Sequence, residues 1–234
     1  VESGVYVLTC SFTPQNLSPE WFEPNHWIDQ NAITGTSTGR NTTYFFSSNN
    51  HEYVLRKYLR GGLIAKFNKD RYRFNSIEST RAYLELSLLE KMTQKALPCP
   101  RPTAGLIQKT GSHYRAKLII ERINNSKDAF ELLKTEKLPD EIWRKIGATV
   151  RKFHDQNVFH SDLNIHNILV DDQNKIWIID FDKCEFRTSN TTWKQQNLDR
   201  LLRSLKKEVG KNDEFHWNEK QWPKLIDGYN NSGN

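Results

Sequence analysis

Two short apolar runs, Ile168-Leu169-Val170 and Ile176-Trp177-Ile178-Ile179, flank the polar turn Asp171-Asp172-Gln173-Asn174-Lys175. Runs rich in β-formers and split by Asp and Asn predict an antiparallel hairpin. Strand-like alternation also marks Glu52 to Tyr58, with Tyr53, Leu55 and Lys57 on one face and Val54, Arg56 and Tyr58 on the other. Gly105 to Gln108 and Tyr114 to Ile120 read as a further hairpin, and residues 1 to about 30 as a strand followed by a short helix. Helical spacing predicts an amphipathic helix over Ser79 to Met92, with Ala82, Leu86 and Leu89 on its apolar stripe. A second spans Asp140 to Asn157 on Ile142, Ile146, Val150 and Phe153, with Asp140 and Glu141 favourably at its N-terminus. Trp193 to Lys206 gives a third, apolar at Leu198, Leu201, Leu202 and Leu205 and basic at Lys194, Arg200 and Arg203. Short helices are expected at Asp128 to Leu133 and Asn218 to Tyr229, and Leu97 to Pro102 is a proline-stiffened connector.

The first hairpin gathers the chemistry. Asn167 immediately precedes its first strand and Asp180 follows its second, so pairing returns both to the open end on strands roughly 5 Å apart. Asp162 lies one short loop upstream. Oxygen ligands from Asn167 and Asp180 suit Mg²⁺ bound against phosphate, while Asp162 can orient an acceptor hydroxyl and take its proton. The spacing His-x-Asp-x-x-x-x-Asn, then a strand pair and Asp-Phe, is that of the kinase catalytic and metal loops. Each piece also has a plain reading, because Asp and Asn cap loops and end strands. His154, His160 and His166 lack the i, i+4 spacing of a helical zinc pair, and His160 is better read as a buried imidazole bracing the loop.

Nucleotide phosphates need a cation elsewhere. Arg56 shares a strand face with Val54, and Lys57 is the alternative. Glu85 falls within the apolar stripe of its helix, where an unpaired carboxylate costs several kcal/mol, so it should find a cation, and Arg56 is the expected one. The Gly- and Ser/Thr-rich turn from Ile33 to Phe46, with Gly35 and Gly39, can lay backbone N–H groups over phosphate or serve as an ordinary hairpin turn. Backbone groups near Glu121 and Ile123 are placed to meet adenine where the chain passes between two lobes.

At 234 residues, with 36% hydrophobic and 12% aromatic content, the chain can form one domain or two lobes around a cleft. The expected architecture is α+β and protein-kinase-like: residues 1–121 an antiparallel sheet with one main helix, and residues 122–234 a mostly helical lobe carrying the catalytic hairpin. A net charge of +6 favours anionic partners without choosing among nucleotide, nucleic acid and acidic lipid. The stretch from Arg60 to Phe74 interleaves basic and apolar residues, which suits an anionic membrane surface and also single-stranded RNA. Three cysteines, Cys10, Cys99 and Cys184, show no paired spacing, so a disulfide framework is not expected. Nowhere do 18 apolar residues run consecutively.

The segments GRNTTYFF, VLRKYLRGGLIAKFNKDRYRF, STRAYLELSLLE, LPCPRPTAG, IGATVRKFHD, HSDLNIHNIL, WIIDFDKC and NLDRLLRSLKKEVG follow one another from about Gly35 to Gly210. In these segments the chain resembles the 3-deoxy-D-manno-octulosonic acid (Kdo) kinase family of lipopolysaccharide inner-core kinases. The resemblance implies transfer of the ATP γ-phosphate to the 4-hydroxyl of Kdo on a lipid A precursor, at the cytoplasmic face of a Gram-negative inner membrane. It implies ATP and Mg²⁺ as cofactors and no nucleic-acid partner. On matching positions it makes Asp162 catalytic, Asn167 and Asp180 metal ligands, and Arg56 with Glu85 the nucleotide-positioning pair. Departures from the wider protein-kinase pattern are Asn164 in place of the catalytic-loop Lys, Asp182 where Gly follows Asp-Phe, and the lack of an Ala-Pro-Glu segment. A protein acceptor is therefore disfavoured. An aminoglycoside-type phosphotransferase and a nucleotide-binding scaffold without turnover are the alternatives.

Overall fold

Alternating apolar residues and tight Asn or Gly turns build the first sheet. The computed structural model describes residues 4–38, 42–59, 70–188 and 191–231. Strands β1 (Gly4–Thr9), β2 (Ile33–Thr38), β3 (Thr42–Ser48), β4 (His51–Lys57), β5 (Tyr72–Arg73), β6 (Pro102–Thr110) and β7 (His113–Glu121) form an antiparallel sheet in the order β1-β6-β7-β4-β3-β2, with β5 paired to β7. Asn49 and Asn50 both take positive φ, which gives the β3–β4 turn the twist its strands require. Tyr53 and Leu55 point to the buried face of β4 and meet Trp21, Phe22, Trp27 and Phe46 in one cluster. Trp27 stacks on Phe46 with ring centroids 4.1 Å apart. The early strand and short helix expected in the first 30 residues are β1 and α1 (Pro24–Asp29). The main helix of this part is α2 (Arg81–Gln94).

The chain divides into two compact units, Val1–Lys91 with Pro100–Arg122, and Met92–Cys99 with Ile123–Asn234. Sequence reading put residues 92–99 in the first. They pack with the second, where the amide of Ile178 donates to the carbonyl of Pro98 at 3.0 Å and ties the proline connector to the hairpin at residues 168–178.

In the second unit, β8 (Ser126–Asp128), β10 (Ile168–Asp171) and β11 (Ile176–Ile178) form a three-stranded sheet, and β9 (Val158–Phe159) pairs with β12 (Glu185–Phe186). The helices are α3 (Ala129–Leu133), α4 (Asp140–Asp155), α5 (Thr191–Val209) and α6 (Trp222–Asn231). Fold class is thus α+β with an antiparallel main sheet, as expected. The β10–β11 turn is set by Asp171, whose Oδ1 accepts from the amides of Gln173 (3.0 Å) and Lys175 (2.8 Å) while Oδ2 accepts from Trp177 Nε1 (2.8 Å). Helices α4 and α6 cross with backbones in contact. A Cβ on Gly147 would stand 1.9 Å from the carbonyl oxygen of Leu225, and one on Gly228 2.0 Å from that of Arg144.

Two buried groups give this unit a pH signature. Asp128 accepts from the amide of Phe130 (2.7 Å) as the cap of α3, and burial raises its carboxyl to about 6 from an ordinary 3.8 despite that bond and nearby His166. His154 lies between Tyr229 Oη (2.8 Å) and Asn197 Oδ1 (3.3 Å), and burial lowers it to about 4 from 6.5. The signs oppose. The unfolded chain takes up the His154 proton first, so that contribution is intact above pH 6.5 and is lost as pH falls toward 4, up to about 3 kcal/mol. Asp128 is costly when ionised, and the cost is relieved as pH falls through 6. Asp128→Asn keeps a capping oxygen and removes the charge. It is expected to raise stability by about 1–2 kcal/mol at pH 7 and to steepen the loss on acidification. Urea midpoints from pH 7.5 to 4.5 test this, and a profile matching the parent's would refute it.

Candidate active site

The loop from His160 to Asn167 is held by a closed circuit of hydrogen bonds. His160 is buried, and its Nε2 lies 3.0 Å from the carbonyl oxygen of Ile179 while Nδ1 accepts the Asp162 amide at 3.2 Å. That pairing assigns the neutral tautomer with hydrogen on Nε2. Burial pushes the His160 pKa down, against the pull of Asp180 and Asp162. Asn167 donates through Nδ2 to the Asp162 carbonyl (2.9 Å), and its own carbonyl accepts the Ile179 amide (3.0 Å). The circuit His160–Asp162–Asn167–Ile179 therefore fixes the loop against the end of β11. Asn164 Oδ1 takes the amide of His166 (2.9 Å) and its Nδ2 donates to the Asp162 carbonyl (2.9 Å), so the residue that replaces the usual lysine shapes the loop.

Asp180 follows at once with φ of 63°, a left-handed conformation that Asp tolerates better than branched residues. It is exposed, and its charge reaches the His160 ring, as does that of Asp162. The charges of Asp162 and Asp180 thus act on one buried imidazole, and Asn167 belongs to the same hydrogen-bond circuit. Asn167 is itself nearly buried, and its Oδ1 accepts no hydrogen bond among the described residues. A carboxamide oriented through its nitrogen, with its oxygen left over, is a donor set that fits a hard cation.

Helix α5 supports the loop from the other side. Asn197 is buried; its Oδ1 accepts the His160 amide (3.2 Å) and its Nδ2 donates to the His160 carbonyl (2.9 Å). Arg200 binds Asp162 Oδ1 through Nε (2.9 Å) and also through Nη2. Ser204 Oγ accepts the Ile165 amide (3.1 Å), and Glu208 lies 3.5 Å from His166. Positions 197, 200, 204 and 208 share one helical stripe. Sequence reading noted Arg200 only as basic and missed Asn197 and Ser204. The available signal was a row of polar residues at helical spacing beside the leucine stripe.

In the first unit, Glu85 is buried and is met by Arg56 Nη2 and by Tyr58 Oη (2.7 Å). The expected pair is therefore formed, with Tyr58 as a second donor that sequence reading did not assign. Burial first, then the Glu85 charge, pushes the Tyr58 hydroxyl well above its ordinary pKa. The Arg56 guanidinium also lies 5.2 Å from the Tyr58 ring centroid. Lys57, the alternative, is exposed on the other face. Glu121 gives its amide to the Arg101 carbonyl (2.8 Å), and the Ile123 carbonyl accepts Ser126 Oγ (2.7 Å). Gly39 and residues 60–69, the greater part of the basic-aromatic stretch, lie outside the described residues.

The model of the lipopolysaccharide kinase (Kdo/WaaP) family matches residues 25–229. The chain belongs to that family. A 3-deoxy-D-manno-octulosonic acid kinase of Mannheimia succiniciproducens is 46% identical over 218 residues, covering 90% of each chain. Proteins of the same name from Haemophilus influenzae (strain 86-028NP) and Vibrio vulnificus (strain YJ016) are each 44% identical, covering 90% and 91% of this chain and 90% of their own. Membership in the Kdo/WaaP family carries a protein-kinase-like fold and use of ATP. No described helix of this family member is long and apolar enough to cross a membrane.

Proposed function

We propose that this chain is an ATP-dependent kinase that phosphorylates the 4-hydroxyl of Kdo on a lipid A precursor during assembly of the lipopolysaccharide inner core. The observation that carries the reading is the hydrogen-bonded circuit that presents Asp162 and Asn167 together, within the span that the family model matches. Asp162 Oδ1 is occupied by Arg200, while Oδ2 accepts nothing among the described residues. Oδ2 is the atom that receives the acceptor's hydroxyl and draws off its proton as the oxygen attacks phosphorus. Asn167 Oδ1 and the Asp180 carboxylate are the groups that would hold Mg²⁺, which when bound neutralises charge on the phosphates. Arg56, aimed by Glu85, binds nucleotide phosphate. Arg56→Ala is expected to weaken ATP binding about tenfold with the fold retained, as read by calorimetric titration. Unchanged affinity would remove Arg56 from the site and turn attention to Lys57.

The deciding experiment incubates pure protein, labelled ATP and Mg²⁺ with Kdo-lipid IVA, free Kdo and an aminoglycoside in parallel. Label in the Kdo lipid supports the reading. Label in the aminoglycoside alone would replace it with an antibiotic-type phosphotransferase, and ATP binding without label in any acceptor would favour a scaffold. A lipid-linked acceptor would call for a protein at the cytoplasmic face of the inner membrane, held reversibly through its net positive charge. Association with anionic vesicles should then weaken as salt rises; binding indifferent to salt would contradict an electrostatic attachment.

A further inference from the structure

The Asp162–Arg200 pair is half-exposed, at 52% and 47% of each side chain, and its hydrogen bonds are lopsided. Both donors that Arg200 commits, Nε and Nη2, converge on Oδ1 of the carboxylate. Among the described residues nothing binds Oδ2 of Asp162 and nothing binds Nη1 of Arg200. A pair serving structure alone would be expected to use the two-on-two fork that Arg and carboxylate favour. One acceptor oxygen and one guanidinium nitrogen of a half-exposed pair are thus left without a partner among the described residues.

That combination matches an acceptor that presents a hydroxyl and a carboxylate close together. The Asp162 oxygen suits a hydroxyl proton, and the spare guanidinium edge suits a carboxylate in a charge-assisted bond. In a 3-deoxy-octulosonic acid the carboxyl carbon is joined to the carbon bearing the 4-hydroxyl through only two others, which keeps the two groups within about 5 Å. The surface beyond the pair has the same sign. Arg203 and Lys207 are exposed on α5, have no partner among the described residues, and follow Arg200 by about 4.5 and 10.5 Å along the helix axis.

We infer that Arg200 is an acceptor-binding residue: its free Nη1 edge holds the sugar's carboxylate while Oδ2 of Asp162 receives the hydroxyl to be phosphorylated, so that the pair selects a hydroxy acid. This rests on the kinase reading above and deepens it. Arg200 then has two tasks, since Nε and Nη2 aim Asp162 and Nη1 meets the substrate. Replacement by Lys would keep the charge but lose the fork.

The test compares Kdo-lipid IVA with its carboxyl methyl ester as acceptors for the parent protein, Arg200→Lys and Arg200→Gln. The parent should prefer the acid by about tenfold or more in kcat/KM. Arg200→Gln should raise KM for the acid by about tenfold or more, leave KM for ATP unchanged and bring the acid-to-ester ratio near one, with Arg200→Lys intermediate. A parent that treats acid and ester alike would overturn the inference without recourse to any variant. So would variants that lose kcat while keeping both acceptor KM and the acid-to-ester ratio, because Arg200 would then act only through Asp162. Parent protein that labels no Kdo acceptor would overturn the kinase reading and this inference together, an outcome distinct from either of the others.

Discussion

Asp162→Asn is expected to lower kcat by about 10² to 10⁴-fold while ATP affinity and folding stability stay close to those of the parent. Asp162 serves the loop through its main chain and serves the acceptor through its carboxylate. Its amide and carbonyl belong to the circuit with His160, Asn164 and Asn167, and an asparagine keeps all of those bonds. The carboxylate bonds only Arg200 among the described residues, in a half-exposed pair whose loss costs at most about 1 kcal/mol. Beyond that pair, the substitution removes proton acceptance. Single-turnover kinetics beside a urea titration would check both halves, and parent-like turnover would show that another group takes the proton.

Gly147→Ala is expected to cost on the order of 3 kcal/mol and to lower the thermal midpoint by several degrees, with Gly228→Ala comparable. A methyl on either glycine would enter the backbone of the opposing helix, at 1.9 Å from the Leu225 oxygen or 2.0 Å from the Arg144 oxygen. Neither helix can yield by turning a side chain, because the obstacle is main chain. They would have to separate, opening a contact flanked by the Arg144–Asp227 (3.0 Å) and Lys224–Asp140 (3.2 Å) ion pairs. Alanine elsewhere in a helix is the more stabilising residue, so a gain in stability would refute the close approach. Differential scanning calorimetry on the two single variants and the double variant measures it. The double variant should cost less than the sum, since one separation accommodates both methyls.

The residues on which the kinase reading rests were legible where the signal is local. The hairpin carrying Asn167 announced itself through an apolar–polar–apolar run, and it forms over Ile168–Ile178 as expected. Arg56 with Glu85 was legible for a different reason: an acid on the apolar stripe of an amphipathic helix must find a donor, and a neighbouring strand offered one. Tyr58 as the second donor escaped because a tyrosine at a strand end reads as core. The support from α5 escaped because about 35 residues separate it from the loop, and a basic residue on a helix reads equally well as a solvated face. Gly147 and Gly228 gave no sign, since an isolated glycine within a helical pattern says nothing about what lies opposite. Pairing across long sequence separations is what the one-dimensional pattern lacks.

The grip of α5 on the loop is largely a grip on main chain, through the amides of His160 and Ile165 and the carbonyl of His160. Part of the hold on residues 160–165 is therefore lost if the helix detaches, and the circuit through Asn167 and Ile179 carries the rest. The order of the loop that carries Asp162 is thereby coupled to a helix that starts about 30 residues further along the chain, so a change on the inner face of α5 is felt in the loop without touching it.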